Sequence, residues 1–103
     1  MKTIEKNIFK GSQSLNFQGI YKLDHFKLKI SIKRDSYDNQ SYSKIFVFNS
    51  KNLEWNLLDF IPFSQMEAVL KNLYYGSDKL DLAEKIFQTD ANILLKKAEK
   101  ILL

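Results

Sequence analysis

The chain has no cysteine, and among its 103 residues it has only one histidine, one proline, one arginine and three glycines. Without cysteine there is no disulfide, no thiolate nucleophile and no cysteine-held zinc. With His25 as the only imidazole, a metal site would rest on carboxylates around one ring, so neither metal nor cofactor is expected. The few glycines form neither G-x-x-x-x-G-K-[ST] nor G-x-G-x-x-G, so a phosphate-cradling loop is not expected. No serine stands in a G-x-S-x-G context, and the neighbours Asp24 and His25 have no nucleophile to serve as a proton relay. They read as turn residues, and the chain reads as a non-enzyme. No run approaches the roughly 18 apolar residues of a membrane span, and the opening MKTIEKNIFKG lacks a signal-peptide core. The expectation is a cytoplasmic protein with no membrane partner.

What the chain does contain is a folding composition: 45% hydrophobic and 14% aromatic against 27% charged residues. The length suits one core, hence one domain over residues 1–103. Charge is unevenly spread. Residues 1–50 hold nine basic and four acidic side chains, net +5, and residues 51–103 hold seven and eight, net −1. A basic half suits a phosphate or an acidic protein surface, although all but one of the basic residues are lysine, which lacks the bidentate fork of arginine.

Phe26–Lys33 alternates strictly, with Phe26, Leu28, Ile30 and Ile32 on one side and Lys27, Lys29, Ser31 and Lys33 on the other, as a half-buried strand does. Tyr42–Asn49 and Leu53–Phe60 read as two further strands, the latter after a turn at Ser50-Lys51-Asn52. The segment Asn7–Tyr21 shows no dominant period and supplies one or two short strands. After Pro62, Ser64-Gln-Met-Glu67 has the form of a capping box for a helix ending at Gly76. From Ser77 or Asp78 to the end, apolar residues recur at intervals of three and four. This predicts one long amphipathic helix, or two broken near Thr89-Asp90. The fold class is therefore α+β, an antiparallel sheet of three to five strands with C-terminal helices packed on one face.

A plain meander with Lys33 opposite Tyr42 sets Leu28 against Val47 and Ile30 against Ile45. Carried through the next turn, it sets Trp55 beside Val47 and Leu57 beside Ile45. These six then belong, with Ile32, to an apolar face under the helices. The opposite face carries Lys27, Lys29, Lys33, Lys44, Phe46, Phe48, Asn56, Leu58 and Phe60. Interleaved lysines and aromatic rings suit single-stranded nucleic acid, whose bases stack and whose phosphates meet ammonium groups. Alternatively, the N-terminal segment folds over these rings as a second layer.

The remaining candidate is the connection Arg34-Asp-Ser-Tyr-Asp-Asn-Gln-Ser-Tyr42, longer than a tight hairpin needs. Arg34 either forks onto Asp35 or Asp38 and stiffens the turn or contacts a partner, and Tyr37 and Tyr42 are of the type interfaces prefer. This stretch, with the basic strand before it and the Trp-centred strand and Ile61-Pro62 after it, resembles small uncharacterised proteins of phages, plasmids and other mobile elements. The likeness runs from Leu28 to Pro62, with Asn39 where an aromatic residue stands in the pattern. The resemblance implies a protein that binds and blocks a host machine such as a restriction or CRISPR nuclease. The first expectation is thus an inhibitor or modulator docking on a host protein or protein–nucleic acid complex. Its binding residues are Arg34, Tyr37, Tyr42, Lys27, Lys29, Lys33, Lys44, Phe46 and Phe48. The alternatives are a module that binds nucleic acid directly through the same face, and a protein that self-associates through the apolar stripe ending in Ile101-Leu102-Leu103. The chain is expected to be a monomer or a weak homodimer.

Overall fold

The alternation of residues 26–33 becomes the centre of a five-stranded antiparallel sheet in the computed structural model, which describes residues 2–10, 14–35, 41–62 and 79–103. The strands are β1 (Lys2–Lys10), β2 (Ser14–Leu23), β3 (Phe26–Asp35), β4 (Tyr42–Asn49) and β5 (Glu54–Phe60), in the plain meander order β1-β2-β3-β4-β5. A helix, α1 (Lys79–Leu102), crosses one face. The protein is an α+β fold. The capping box at Ser64–Glu67 and the helix anticipated after it lie outside the described residues.

The face under α1 is the apolar one. Leu28, Ile30, Ile32 and Ile45 are fully buried there, each contributing roughly 1.5–3 kcal/mol through burial. From α1, Phe87, Ala91, Leu94, Leu95 and Ala98 descend onto them. This is the three-and-four spacing of a single helical stripe, and the Phe87 ring meets that of Phe17 at 5.7 Å. The helix runs unbroken through Thr89-Asp90. Thr89 Oγ1 donates to the carbonyl of Lys85 one turn back, within the helix, instead of capping a new one. Among the described residues no helix is long and apolar enough to cross a membrane.

The N-terminal segment gives two full strands and extends the sheet on the free edge of β3. There the backbone N–H and C=O groups of that edge find partners. It therefore does not form a layer over the lysine–aromatic face. β2 contributes Leu15, Phe17, Tyr21 and Leu23 to the core. Gly19 occupies a core-side position because the Tyr21 ring lies across it. A Cβ at residue 19 would meet that ring at 2.6 Å. Burial raises the Tyr21 phenol above its ordinary pKa by withdrawing the phenolate from water.

The β3–β4 register is the one anticipated, with Leu28 opposite Val47, Ile30 opposite Ile45 and Lys33 opposite Tyr42. The β4–β5 register is not. Asn49 pairs with Glu54 and Phe48 with Trp55, so the turn takes four residues, Ser50 to Leu53, where three were anticipated. Leu53 sits in the left-handed region at φ 57°, and the Asn49 and Asn52 side chains accept the backbone N–H groups of Lys51 and Glu54. One extra turn residue sends every following side chain to the other face. Trp55 and Leu57 accordingly leave the core face, where the shorter turn would have placed them. A bulge then intervenes, with Phe46 opposite Leu57 but Ile45 opposite Asp59. It turns Leu58 back against the core and restores Phe60 to the outer side, opposite Lys44.

Candidate functional site

Two constellations of polar side chains stand out, one inside the molecule and one on its open face. The inner one centres on Arg34. This residue belongs to β3 and is only 2% exposed, because it falls on the same side of the strand as Ile30 and Ile32. Its guanidinium donates to the Asp90 carboxylate of α1, to Ser43 Oγ at 2.9 Å and to the Tyr42 carbonyl at 3.1 Å. Ser43 Oγ donates onward to Asp90 at 2.9 Å. The cluster ties β3, β4 and α1 together. Arg34 is thus a buried clamp whose carboxylate partner is Asp90, a residue 56 positions away, and not an exposed contact at the tip of a loop. Tyr37 lies outside the described residues.

The outer face of β2–β5 is the second constellation, and its registers arrange it in rows. Ile20, Lys29, Phe46 and Leu57 form one row, and Gln18, Ser31, Lys44 and Phe60 another. Asn16, Lys33 and Tyr42 make a third. Lys22 pairs with Lys27, and Phe48 with Trp55. The lysines lean over the rings. Lys27 Nζ is 5.7 Å from the Phe48 centroid, Lys44 Nζ is 4.9 Å from that of Tyr42, and Lys29 Nζ lies 5.0 Å from Phe46 and 4.9 Å from Trp55. Each contact is of the cation–π type, about 0.5–1 kcal/mol at such half-exposed positions. The Phe48 and Trp55 rings meet at 5.2 Å.

No described side chain on this face is acidic. The carboxylates of β5, Glu54 and Asp59, stand opposite Asn49 and Ile45 on the helix side of the sheet. Lys27, Lys29 and Lys44 have rings for neighbours. Lys22 and Lys27 are directly opposed, which destabilises an antiparallel pair. Large apolar side chains also stay in water here, Leu57 at 53% and Phe60 at 51%. The opposed lysines and the exposed apolar side chains each cost folding free energy, and a polyanion with flat apolar parts would relieve both.

Of the residues singled out from the sequence, Lys27, Lys29, Lys33, Lys44, Tyr42, Phe46 and Phe48 come together on this surface, whereas Arg34 does not. Lys22, Trp55 and Leu57 join it unanticipated. Lys22 was legible only once β2 was paired with β3, and the other two only once the turn length was known. His25 sits at the β2–β3 turn beside Asp24, Nδ1 3.4 Å from Oδ2, and both side chains are largely exposed. Among the described residues no group of three or more metal-ligating side chains gathers. Ile93 and Ile101 on α1, and Leu103 just after it, are exposed. No protein-family model, curated protein or solved structure matches the chain.

Proposed function

We propose that the chain is a non-enzymatic, cytoplasmic binding protein whose working surface is the outer face of β2–β5 and whose ligand is nucleic acid. The observation that carries the reading is the array in which Lys27, Lys29 and Lys44 are each set over an aromatic ring. Phosphates satisfy the ammonium groups, and bases satisfy the rings. In the setting that the mobile-element resemblance implies, such a protein modulates a host nucleic-acid enzyme, of the restriction or CRISPR type, by occupying the nucleic acid on which that enzyme works. A second reading, direct docking on the enzyme's own surface, draws on the exposure of Leu57 and Phe60, which suit an apolar protein contact.

Salt separates the two. If four or five lysines of this face neutralise phosphates, the logarithm of the association constant for a labelled oligonucleotide falls with the logarithm of salt at a slope of about −3. A flat salt dependence, or no binding at low salt, would exclude nucleic acid as the ligand and favour an apolar protein partner.

A further inference from the structure

We infer that the Phe46 and Trp55 rings, capped by Lys29 in the free protein, make the outer face selective for single-stranded over double-stranded nucleic acid. The inference rests on the nucleic-acid reading above and specifies its ligand. Lys29 Nζ lies 5.0 Å from the Phe46 ring and 4.9 Å from the Trp55 ring. Lys27 and Lys44 each lean over one ring, whereas a single ammonium group here covers two. A ring face occupied by a cation is closed to a base.

A phosphate is a stronger partner for ammonium than a ring is. When a nucleic-acid backbone crosses the face, Lys29 turns toward it and both rings are uncovered together. An unpaired base then takes the place that the ammonium group has left, and stacking replaces the lost cation–π contacts. A duplex also brings phosphates, but its bases stay stacked inside. It draws Lys29 away and puts nothing on the rings. The apolar Ile20 and Leu57 flank Lys29 and Phe46 in the same row, so the uncovered rings adjoin further apolar surface. This floor suits flat bases and offers nothing to a groove lined by sugar and phosphate.

The test uses the full chain, oligo-dT of about a dozen nucleotides and a DNA duplex of the same length, at one low salt concentration. Trp55 is the only tryptophan, so its fluorescence reports this spot alone. The single strand is expected to bind about tenfold or more tighter than the duplex and to quench Trp55, while the duplex binds without quenching. Phe46→Ala with Trp55→Ala removes the floor on which an unpaired base stacks, so the preference, read by anisotropy of labelled strands, should fall to about threefold or less. Lys29→Gln leaves both rings open and should weaken binding of both forms while keeping the preference. Thermal unfolding of both variants, measured beside that of the parent chain, shows that the fold is unchanged. Equal affinity for the two forms, or an undiminished preference in the Phe46→Ala/Trp55→Ala variant, overturns the inference while leaving the nucleic-acid reading standing. Binding of neither form overturns both.

Discussion

Asp90→Ala is expected to lower folding stability by about 3–5 kcal/mol, which for a chain of this length is a fall in melting temperature of roughly 15 °C or more. The reason lies beneath α1. Asp90 is the carboxylate to which both Arg34 and Ser43 donate, and the Arg34 side chain is 2% exposed against 14% for Asp90. Removing Asp90 leaves a guanidinium without its carboxylate in an apolar setting, at the point where Ile32, Ile45 and Leu94 are also buried. Desolvation of that cation then opposes folding without the Asp90 charge to offset it. Replacing both partners at once, as Arg34→Met with Asp90→Leu, should recover most of the loss, because an apolar pair of similar volume carries no desolvation cost. Chemical denaturation of the single and double variants gives the two numbers directly. A single substitution costing under about 1 kcal/mol would mean that the clamp does not hold the helix.

The second large effect is expected on binding, with little change in stability. Phe46→Ala and Trp55→Ala each remove one stacking surface, worth about 1–3 kcal/mol per base. The double variant should therefore lose at least about thirtyfold in affinity for a single-stranded oligonucleotide. Its folding should change far less than that of Asp90→Ala, since both rings lie on the open side of the sheet and neither belongs to the core under α1. Fluorescence anisotropy of a labelled oligonucleotide measures the first quantity and thermal unfolding the second. A loss of binding no larger than that caused by neutralising the exposed Lys96 and Lys100 of α1 would place the working surface on the helix.

The degree to which this molecule was legible in its sequence depended on how local each determinant is. The alternation of Phe26 to Lys33 specified β3, its two faces and its pairing with β4, because a period of two leaves one register that keeps lysine out of the core. The stripe through Phe87, Ala91, Leu94 and Ala98 likewise marked the C-terminal helical segment, but left open a break near Thr89-Asp90 that α1 does not have. β2 was obscure because Gly19 holds a core-side position that the Tyr21 ring fills, so the apolar alternation has a gap. Trp55 was misplaced for a different reason. The faces of β5 depend on whether Leu53 belongs to the turn or the strand, and a leucine at φ 57° runs against residue preference. The same slip hid Leu57 from the candidate site, and the bulge alone returned Phe60 to the face foreseen for it. Arg34 was read as a loop residue because its partner, Asp90, is distant in sequence. Its place on the core side of β3 follows from the same alternation that placed Ile30 and Ile32.

The most direct measurement of the central claim is an NMR titration of the labelled protein with oligo-dT, following the Trp55 indole N–H and the side chains of the lysines and aromatic rings. The account predicts that the resonances of Trp55, Phe46, Lys29, Lys27 and Lys44 shift together and saturate at one stoichiometry, while Ile93, Lys96 and Lys100 on α1 stay unchanged. Shifts confined to α1, or none at an oligonucleotide concentration well above that of the protein, would contradict it.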